Sequence, residues 1–402
     1  MKKFIKNVLS LRWLAWIVGF MLPIKKNRIV FCTNSGGGFS DNGKYIAEEL
    51  LSKNENLDII WLTASDAAKD TLPSRIRNSR YNKFSSIIKL LTASVWVDNS
   101  RKEFLYKKKK TLYIQTWHGG GLYKRVEKSV VESLPKKYVK IAKKDSKAIN
   151  IFLSDSSATT NCIYEDYWYD NYVFKTYYPR NSILIKSIND VELKNEIANK
   201  VKSFFIIPLD TKLVLYAPTF RKGESLKYYN IDFKRLINEL NLKFGGCFKV
   251  LLRLHPNIAN RSKELNFGES VIDASKYFDT QELLVASDVL ITDYSSINYD
   301  YSFLKRPSFR YAVDIDEYMD DRGFYLNLYD YPFPLAKNND ELISIINDYD
   351  QNKYEDDLDK FNKKLGLYDI DYNQFNCSNL IVDYIKKHNI INLEKKYDLI
   401  KK

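Results

Sequence analysis

From Arg28 onward, short apolar runs alternate with amphipathic stretches of helical period. Runs without in-and-out alternation belong to strands covered on both faces, so the pattern predicts parallel sheets flanked by helices. In the first half the strands fall at Arg28–Thr33, Leu57–Thr63, Val95–Asn99, Thr111–Thr116 and Ile149–Ser154, with helices at Gly43–Leu51 and Ser85–Thr92. A polar stretch near Asp190–Asp210 interrupts this rhythm. It resumes with strands at Leu213–Ala217, Phe248–Arg253, Val271–Asp273, Val289–Thr292 and Ser308–Tyr311, and helices at Phe233–Phe244, Thr280–Ala286 and Ile297–Leu304. Glu341–Tyr349 and Asn379–His388 read as closing helices before a charged tail. The fold class expected is α/β, with two doubly wound Rossmann-like domains, 27–200 and 201–402, and a ligand in the cleft where strand carboxyl ends face each other. A chain of 402 residues is long enough for two such cores.

One apolar run breaks the alternation. Trp13–Leu22 is ten residues long, bordered by Arg12 and by Lys25 and Lys26. As a helix it spans about 15 Å, half of a bilayer's hydrocarbon core. Residues 1–26 therefore read as an amphipathic segment lying in a membrane interface, with Trp13 and Trp16 suited to the headgroup level and the lysines to an anionic leaflet. Pro23-Ile24-Lys25-Lys26 leads directly into a strand, without the small-residue cleavage pattern of a signal peptide.

Lys and Arg outnumber Asp and Glu by 63 to 50, a net charge of +13. The partner is therefore expected to be polyanionic: a phosphorylated substrate, anionic lipid or nucleic acid. The excess is concentrated at Lys2–Lys6, Lys107–Lys110 and Lys136–Lys147, whereas Asp320, Asp321, Asp356 and Asp357 make part of the second half acidic. Nucleic acid is not expected, because a basic RNA-binding surface does not explain the ordered phrases at the strand ends described next. Cys32, Cys162, Cys247 and Cys377 lie far apart without paired spacing and read as reduced core residues of a cytosolic protein.

Two of the three histidines stand in chemically loaded phrases, Gln115-Thr116-Trp117-His118-Gly119-Gly120-Gly121 and Leu252-Arg253-Leu254-His255-Pro256. The glycines allow backbone to approach a ligand, and an imidazole, which titrates near pH 6.5 in water, can take a proton at neutral pH. Arg253 and His255 alternate on the expected strand, so both would project to one side and share a phosphate group. Pro218-Thr219-Phe220-Arg221 adds a hydroxyl and a cation at a neighbouring strand end. Ser295 and Ser296 follow the strand Val289–Thr292 at a helix start, where hydroxyls and free N–H groups suit phosphate. Asp300, four residues on, would repel phosphate and is expected to meet neutral ligand hydroxyls. Lys124, Arg125 and Arg180 supply further cations.

Two phrases look like chemistry they do not support. Gly38 to Lys44 has the glycine and lysine spacing of a P-loop, but Tyr45 stands where the magnesium-binding Ser or Thr is needed. Asp314-Ile315-Asp316 and Asp369-Ile370-Asp371 resemble metal-binding carboxylate pairs and are read as solvated loop residues, so no metal site and no obligatory cofactor are expected.

Taken in order, these phrases resemble the CDP-glycerol glycerophosphotransferase family, the teichoic-acid and capsule-type polyol-phosphate transferases of bacteria. The resemblance runs through Asp41-Asn42-Gly43-Lys44-Tyr45, Trp117-His118-Gly119, Tyr178-Pro179-Arg180-Asn181, Tyr216 to Arg221, Arg253 to Pro256, Ser287 to Ser296, Lys305-Arg306-Pro307 and Arg322-Gly323-Phe324-Tyr325. It implies a GT-B-like architecture, with a CDP-alcohol held mainly by the second domain. It further implies donor-binding or catalytic positions at His118, Gly119, Gly120, Gly121, Leu122, Arg180, Pro218, Thr219, Arg253, Leu254, His255, Ser295, Ser296 and Asp300. Gly119-Gly120-Gly121 replaces the Gly-Thr-Pro of many members, and Ser182 stands where an aspartate is common.

The resemblance implies transfer of glycerol phosphate from CDP-glycerol to a hydroxyl of a lipid-linked saccharide or polyol-phosphate chain, with release of CMP. His118 is expected to be the general base, and Arg253, His255, Ser295 and Ser296 to stabilise phosphate charge. The expected location is peripheral, on the cytoplasmic face of the bacterial membrane. A CDP-ribitol transferase and a GT-B glycosyltransferase using a sugar nucleotide are the alternatives. The chain lacks the additional large domain of some polymerising members, which leads to the expectation of a single transfer.

Overall fold

The computed structural model describes residues 13–53, 56–103, 107–120, 122–221, 227–229, 231–255, 258, 268–387, 390–397 and 400–401. The chain forms two compact units, the first from the described parts of 1–118, 126–182 and 368–402, the second from 119–125 and 183–367.

The first unit is built on a sheet whose strands are β1 (Lys25–Cys32), β2 (Asp58–Thr63), β3 (Arg77–Arg80), β4 (Ala93–Asp98), β5 (Leu112–Gln115), β6 (Ile151–Ser154) and β7 (Tyr172–Lys175). β1 lies at its centre, parallel to β2 on one side and β4 on the other, and β5, β6 and β7 follow outward from β4. Ile29, Phe31, Ile59, Trp61, Val95 and Ile114 from these strands share one buried core, as near-continuous apolar runs require. The helix Asp41–Ser52 begins close against that core. A Cβ on Gly43 would lie 3.0 Å from the Trp61 ring, so any larger residue there would press the helix start or the ring aside by a few tenths of an ångström. β3 carries the sequence Arg-Asn-Ser-Arg with only Ser79 buried. An edge strand of this kind has no apolar run to betray it.

The second unit contains β8 (Lys212–Ala217), β9 (Phe248–Leu252), β10 (Val271–Asp273), β11 (Val289–Thr292), β12 (Ser308–Tyr311) and β13 (Leu335–Ala336), in the spatial order β10-β9-β8-β11-β12-β13 and parallel throughout. Apolar clusters cover both faces, one around Val214, Tyr216, Val250 and Ile291, the other around Leu213, Leu215, Leu251 and Leu290. The carboxyl ends of β9, β8 and β11 are therefore neighbours. They carry the phrases beginning at Arg253, Pro218 and Asp293.

The expected domain limits need correction at both ends. Residues 183–200, expected in the first domain, belong to the second unit, and the polar stretch near Asp190–Asp210 contains the helix Val191–Phe204; Leu184, Ile197 and Val201 pack into the second unit's core. The closing segment was assigned to the second domain but belongs to the first unit. There Cys377, Leu380, Ile381 and Tyr384 of the helix Cys377–Lys387 are buried in the core, Thr176 Oγ1 donates to the Phe375 carbonyl at 2.7 Å, and β14 (Ile400–Lys401) runs antiparallel to β7. Helical periodicity reveals an apolar face; it does not say which core that face will meet.

Residues 13–21 are helical. One side of this helix is fixed to the first unit, Ala15 and Trp16 clustering with Ile87 and Leu91. Gly19 allows the close approach, since a Cβ there would fall 2.5 Å from Leu91 Cδ1. The other side leaves Trp13, Leu14, Phe20 and Met21 exposed. Among the described residues no helix is long and apolar enough to cross a membrane. Residues 1–12, including Lys2–Lys6, lie outside the described part.

Candidate active site

In the first unit the chain leaves β5 at Gln115 and turns sharply at Trp117, whose φ is 54°. The Trp117 ring is held from several sides. The Arg101 guanidinium lies 5.5 Å from its centroid, Tyr167 meets it edge-on at 4.7 Å, and His118 stacks on it at 4.6 Å. The Arg101 side chain is itself buried and ion-paired to Glu127 and Asp145. His118 is exposed, and its Nδ1 lies 2.7 Å from the Asn99 carbonyl oxygen. A carbonyl only accepts, so in the neutral ring Nδ1 carries the proton and Nε2 keeps the lone pair. Nε2 is thus the atom able to take a proton from a substrate.

Arg180 was expected to contact the substrate. The structure buries it to 7% exposure, with Nη1 donating to the His118 carbonyl at 2.8 Å and lying 3.5 Å from Asp41 Oδ1. It follows β7 in the turn Pro179–Asn181.

In the second unit β9 ends at Leu252, so Arg253 and His255 stand in the loop beyond the strand and not on it as expected. Arg253 Nη1 donates to the carbonyls of Tyr277 at 2.6 Å and Ala274 at 3.3 Å. Among the described residues no carboxylate forms an ion pair with it. Burial pushes its pKa down to about 10, and Asp279 offsets only part of that effect. A guanidinium placed this way is short of negative charge, which a bound anion would supply. His255 is exposed, with its ring 5.5 Å from that of Phe220. Its pKa is lowered by partial burial and then by the charge of Lys124, which favours the neutral ring.

Lys124 arrives on the segment 119–125, which pairs with the Gly323–Tyr325 stretch through an isolated antiparallel bridge from Lys124 to Phe324. Arg125 N donates to the Gly323 carbonyl at 3.2 Å, and Tyr325 N to the Tyr123 carbonyl at 3.1 Å. The same segment sets Gly119 against Ser296, where a Cβ would lie 3.0 Å from the Ser296 hydroxyl. Gly120 is buried, Leu122 turns with φ 48° and accepts a bond from Tyr331 Oη at 2.7 Å, and Gly121 lies outside the described residues. Gly119, Ser296, Lys124 and His255 thus gather in one unit. Lys124 drew notice in the sequence only as a charge after a glycine run; its partner Phe324 lies two hundred residues away in sequence.

Other residues expected at the site have partners within the second unit. Arg221 gives its guanidinium to Asp314 (Nε–Oδ2 2.6 Å) and Asp293 (Nη1–Oδ2 2.9 Å), both buried. Burial works against its charge, but the two carboxylates outweigh it and hold the group cationic. Asp314 is therefore not the solvated loop residue expected, although Asp369 and Asp371 are exposed. Thr219 donates from both N and Oγ1 to Asp293, Pro218 and Leu254 are buried, and Asp300 is 3% exposed with Gln281 Nε2 at 3.4 Å. The helix after Ser296 spans only Ile297–Ser302, shorter than its expected length, so its dipole is correspondingly modest. Ser295 Oγ accepts from Ile297 N at 3.3 Å, leaving Ser296 as the hydroxyl beside Gly119. The Asp293 carboxylate is the fastener here, joining the β8 and β11 ends. Among the described residues no cluster of three or more His, Cys, Asp or Glu side chains is placed to hold a metal ion.

Residues 14–387 match the family described as CDP-glycerol:poly(glycerophosphate) glycerophosphotransferase. The chain belongs to this family of phosphotransferases. It is 33% identical over 359 residues to a teichoic acid poly(glycerol phosphate) polymerase of Staphylococcus epidermidis, covering 84% of this chain but only 48% of that relative. It is 32% identical over 344 residues to a teichoic acid glycerol-phosphate transferase of Staphylococcus aureus, covering 82% of this chain and 86% of the other. Among solved structures it is similar to the wall teichoic acid polymerase TagF, with a TM-score of 0.82 and 30% identity over 96% of this chain and 95% of that one. A histidine-to-asparagine form of TagF soaked with CDPG matches with a TM-score of 0.81 and 29% identity, covering 98% of this chain and 97% of that one.

Proposed function

We propose that the chain transfers glycerol phosphate from CDP-glycerol to a hydroxyl of a teichoic-acid or capsule-type acceptor, each unit being one Rossmann-like half of a GT-B-like enzyme. Arg253 carries this reading: a half-buried cation just beyond a strand end, two residues before His255, that donates to the carbonyls of Ala274 and Tyr277 and, among the described residues, is ion-paired to no carboxylate; Lys124 and Ser296 belong to the same unit. Those groups suit a diphosphate, with the guanidinium supplying parallel hydrogen bonds and the neutral His255 and the Ser296 hydroxyl donating to the remaining oxygens.

In the proposed reaction the acceptor oxygen bonds to the β-phosphorus of CDP-glycerol and the bond from that phosphorus to the bridging oxygen breaks. CMP leaves with the bridging oxygen, and His118 Nε2 takes the acceptor's proton. His118, exposed and with Nδ1–H committed to Asn99, is the base in this scheme. Thr219, Arg221 and Asp300 then act behind the contact surface, shaping the loops through Asp293, Asp314 and Gln281. No cofactor is assigned. Supplying CDP-glycerol, CDP-ribitol and UDP-sugars separately, with acceptor, tests the donor. CMP release from CDP-glycerol supports the proposal, CMP from CDP-ribitol alone moves it to the ribitol alternative, and UDP release from a sugar nucleotide overturns it.

We also propose that the protein sits peripherally on an anionic membrane surface, on the cytoplasmic side, where a lipid-linked acceptor is presented. Exposed Trp13, Leu14, Phe20 and Met21 form an apolar face next to Lys25, Lys26 and Lys108, and the exposed lysines of the helix Lys136–Ala148 lie on the same unit. Such a face enters the headgroup region while the lysines meet anionic lipid. Replacing Trp13, Phe20 and Met21 together by serine is expected to release the protein from liposomes containing anionic lipid in flotation assays; undiminished flotation contradicts this role.

A further inference from the structure

The phrase Asp41-Asn42-Gly43-Lys44 binds no nucleotide phosphate in the proposal above, and its first two residues point elsewhere. We infer that Asp41 and Asn42 are positioning residues for His118, fixing its backbone and the ring tautomer that leaves Nε2 free; this rests on the reading of His118 as the base.

His118 is gripped on three sides, and all three grips lead back to the start of the helix Asp41–Ser52. The peptide before it is held by Asn42 Nδ2, which donates to the Trp117 carbonyl at 2.9 Å. The peptide after it is held by Arg180 Nη1, which donates to the His118 carbonyl at 2.8 Å. Arg180 is set in turn by Asn42 Oδ1, which accepts from its backbone N at 3.1 Å, and by Asp41 Oδ1 at 3.5 Å. The ring is held through Asn99, whose carbonyl faces Nδ1 at 2.7 Å and whose side-chain Nδ2 donates to Asp41 Oδ2 at 3.0 Å. Asp41 therefore touches both the arginine that holds the His118 carbonyl and the asparagine that holds the ring.

The local backbone agrees with a dedicated device. Asp41 has φ 57°, a left-handed conformation that Asp and Asn tolerate through local side-chain bonds, and its Oδ1 accepts from Asn42 N at 2.6 Å. Asn42 is fully buried yet uses both ends of its amide, on Arg180 and on Trp117. Trp117, the residue between these grips and the ring, is itself left-handed at φ 54°. A sparsely populated conformation of this kind persists where its surroundings over-determine it, and the bonds to the Trp117 and His118 carbonyls contribute to that. Misplacing a base by a fraction of its reach, or moving the proton to Nε2, removes the lone pair from the acceptor while leaving donor contacts in the second unit untouched.

The test uses the full chain with Asp41→Asn and Asn42→Ala. Asp41→Asn keeps the shape and the left-handed preference, but directs either an amide N–H or a weaker acceptor at the Asn99 and Arg180 donors. Asn42→Ala deletes the bonds to Trp117 and Arg180. Turnover is expected to fall about 30- to 100-fold in each variant, with the donor KM changed by less than about threefold. A second readout is independent of turnover. With three histidines in the chain, nitrogen-15 spectra of histidine-labelled protein resolve the ring nitrogens, and His118→Gln assigns the His118 pair. The expected spectrum places the His118 proton on Nδ1 in the parent protein and shifts population toward the Nε2–H form in Asp41→Asn. Parent-like turnover and parent-like His118 signals in either folded variant overturn the inference, so one variant suffices if the other does not fold. Retained turnover in His118→Gln instead defeats the reading of His118 as base, while the tautomer comparison still decides whether Asp41 positions the ring.

Discussion

Replacing His118 by alanine is expected to lower kcat by about 10³-fold, the range associated with loss of a positioned general base. The substitution removes an exposed ring that stacks on Trp117 and hydrogen-bonds the Asn99 carbonyl, so it creates no buried cavity and costs the fold one stacking contact and one hydrogen bond. CDP-glycerol affinity is expected to stay within about threefold of the parent, because the groups assigned to the diphosphate belong to the second unit. Turnover followed by CMP release, together with calorimetric titration of the donor, checks both parts. Near-parental turnover removes His118 from the chemistry; loss of donor affinity equal to the loss of turnover makes it a binding residue.

Arg253→Met is expected to produce the opposite division. Deleting two charge-assisted hydrogen bonds, each worth about 1.5–3 kcal/mol, weakens donor binding by at least about 100-fold. Arg253→Lys is expected to restore only part of this, since an ammonium cannot make two parallel bonds to one phosphate. Folding should respond differently from binding. Arg253 is a cation whose burial pushes its pKa down to about 10 and which has no paired carboxylate among the described residues, so its replacement by an apolar chain of similar length relieves a desolvation penalty. The expected thermal midpoint without ligand is unchanged or raised. A donor affinity unaltered by Arg253→Met contradicts the assignment, whereas a lowered midpoint with weakened binding identifies the arginine as a support for the Ala274–Tyr277 loop.

Much of the architecture was legible because buried parallel strands leave a strong apolar signal. The runs that became β1, β2, β4, β8, β9 and β11 were all readable, and the strand ends bearing Pro218, Arg253 and Asp293 are neighbours as expected. The polar edge strand Arg77–Arg80 was not readable, because one buried serine among polar residues makes no apolar run. Nor could the return of 368–402 to the first unit be foreseen, because an amphipathic helix does not name its partner.

For the candidate site, residue type revealed which positions carry chemistry but not which neighbours consume it. Arg221 and Arg253 look alike in sequence. The structure pairs the first with Asp293 and Asp314 and leaves the second to carbonyls, a difference set by side chains up to 93 residues away. Asp41 and Asn42 were visible as a motif, yet their bonds to Asn99, Trp117 and Arg180 depend on the turns that fold these segments together. Arg310 went unremarked inside the strand Ser308–Tyr311, although a charge in an apolar run is an anomaly; it is buried there, with Nε donating to the Phe333 carbonyl at 2.9 Å.

The most direct test of the whole account is a crystal of the full chain soaked with CDP-glycerol. The diphosphate is expected within hydrogen-bonding distance of the Arg253 guanidinium and the Ser296 hydroxyl, beside His255 and Lys124. A donor bound with its phosphates away from Arg253 and Ser296 contradicts it.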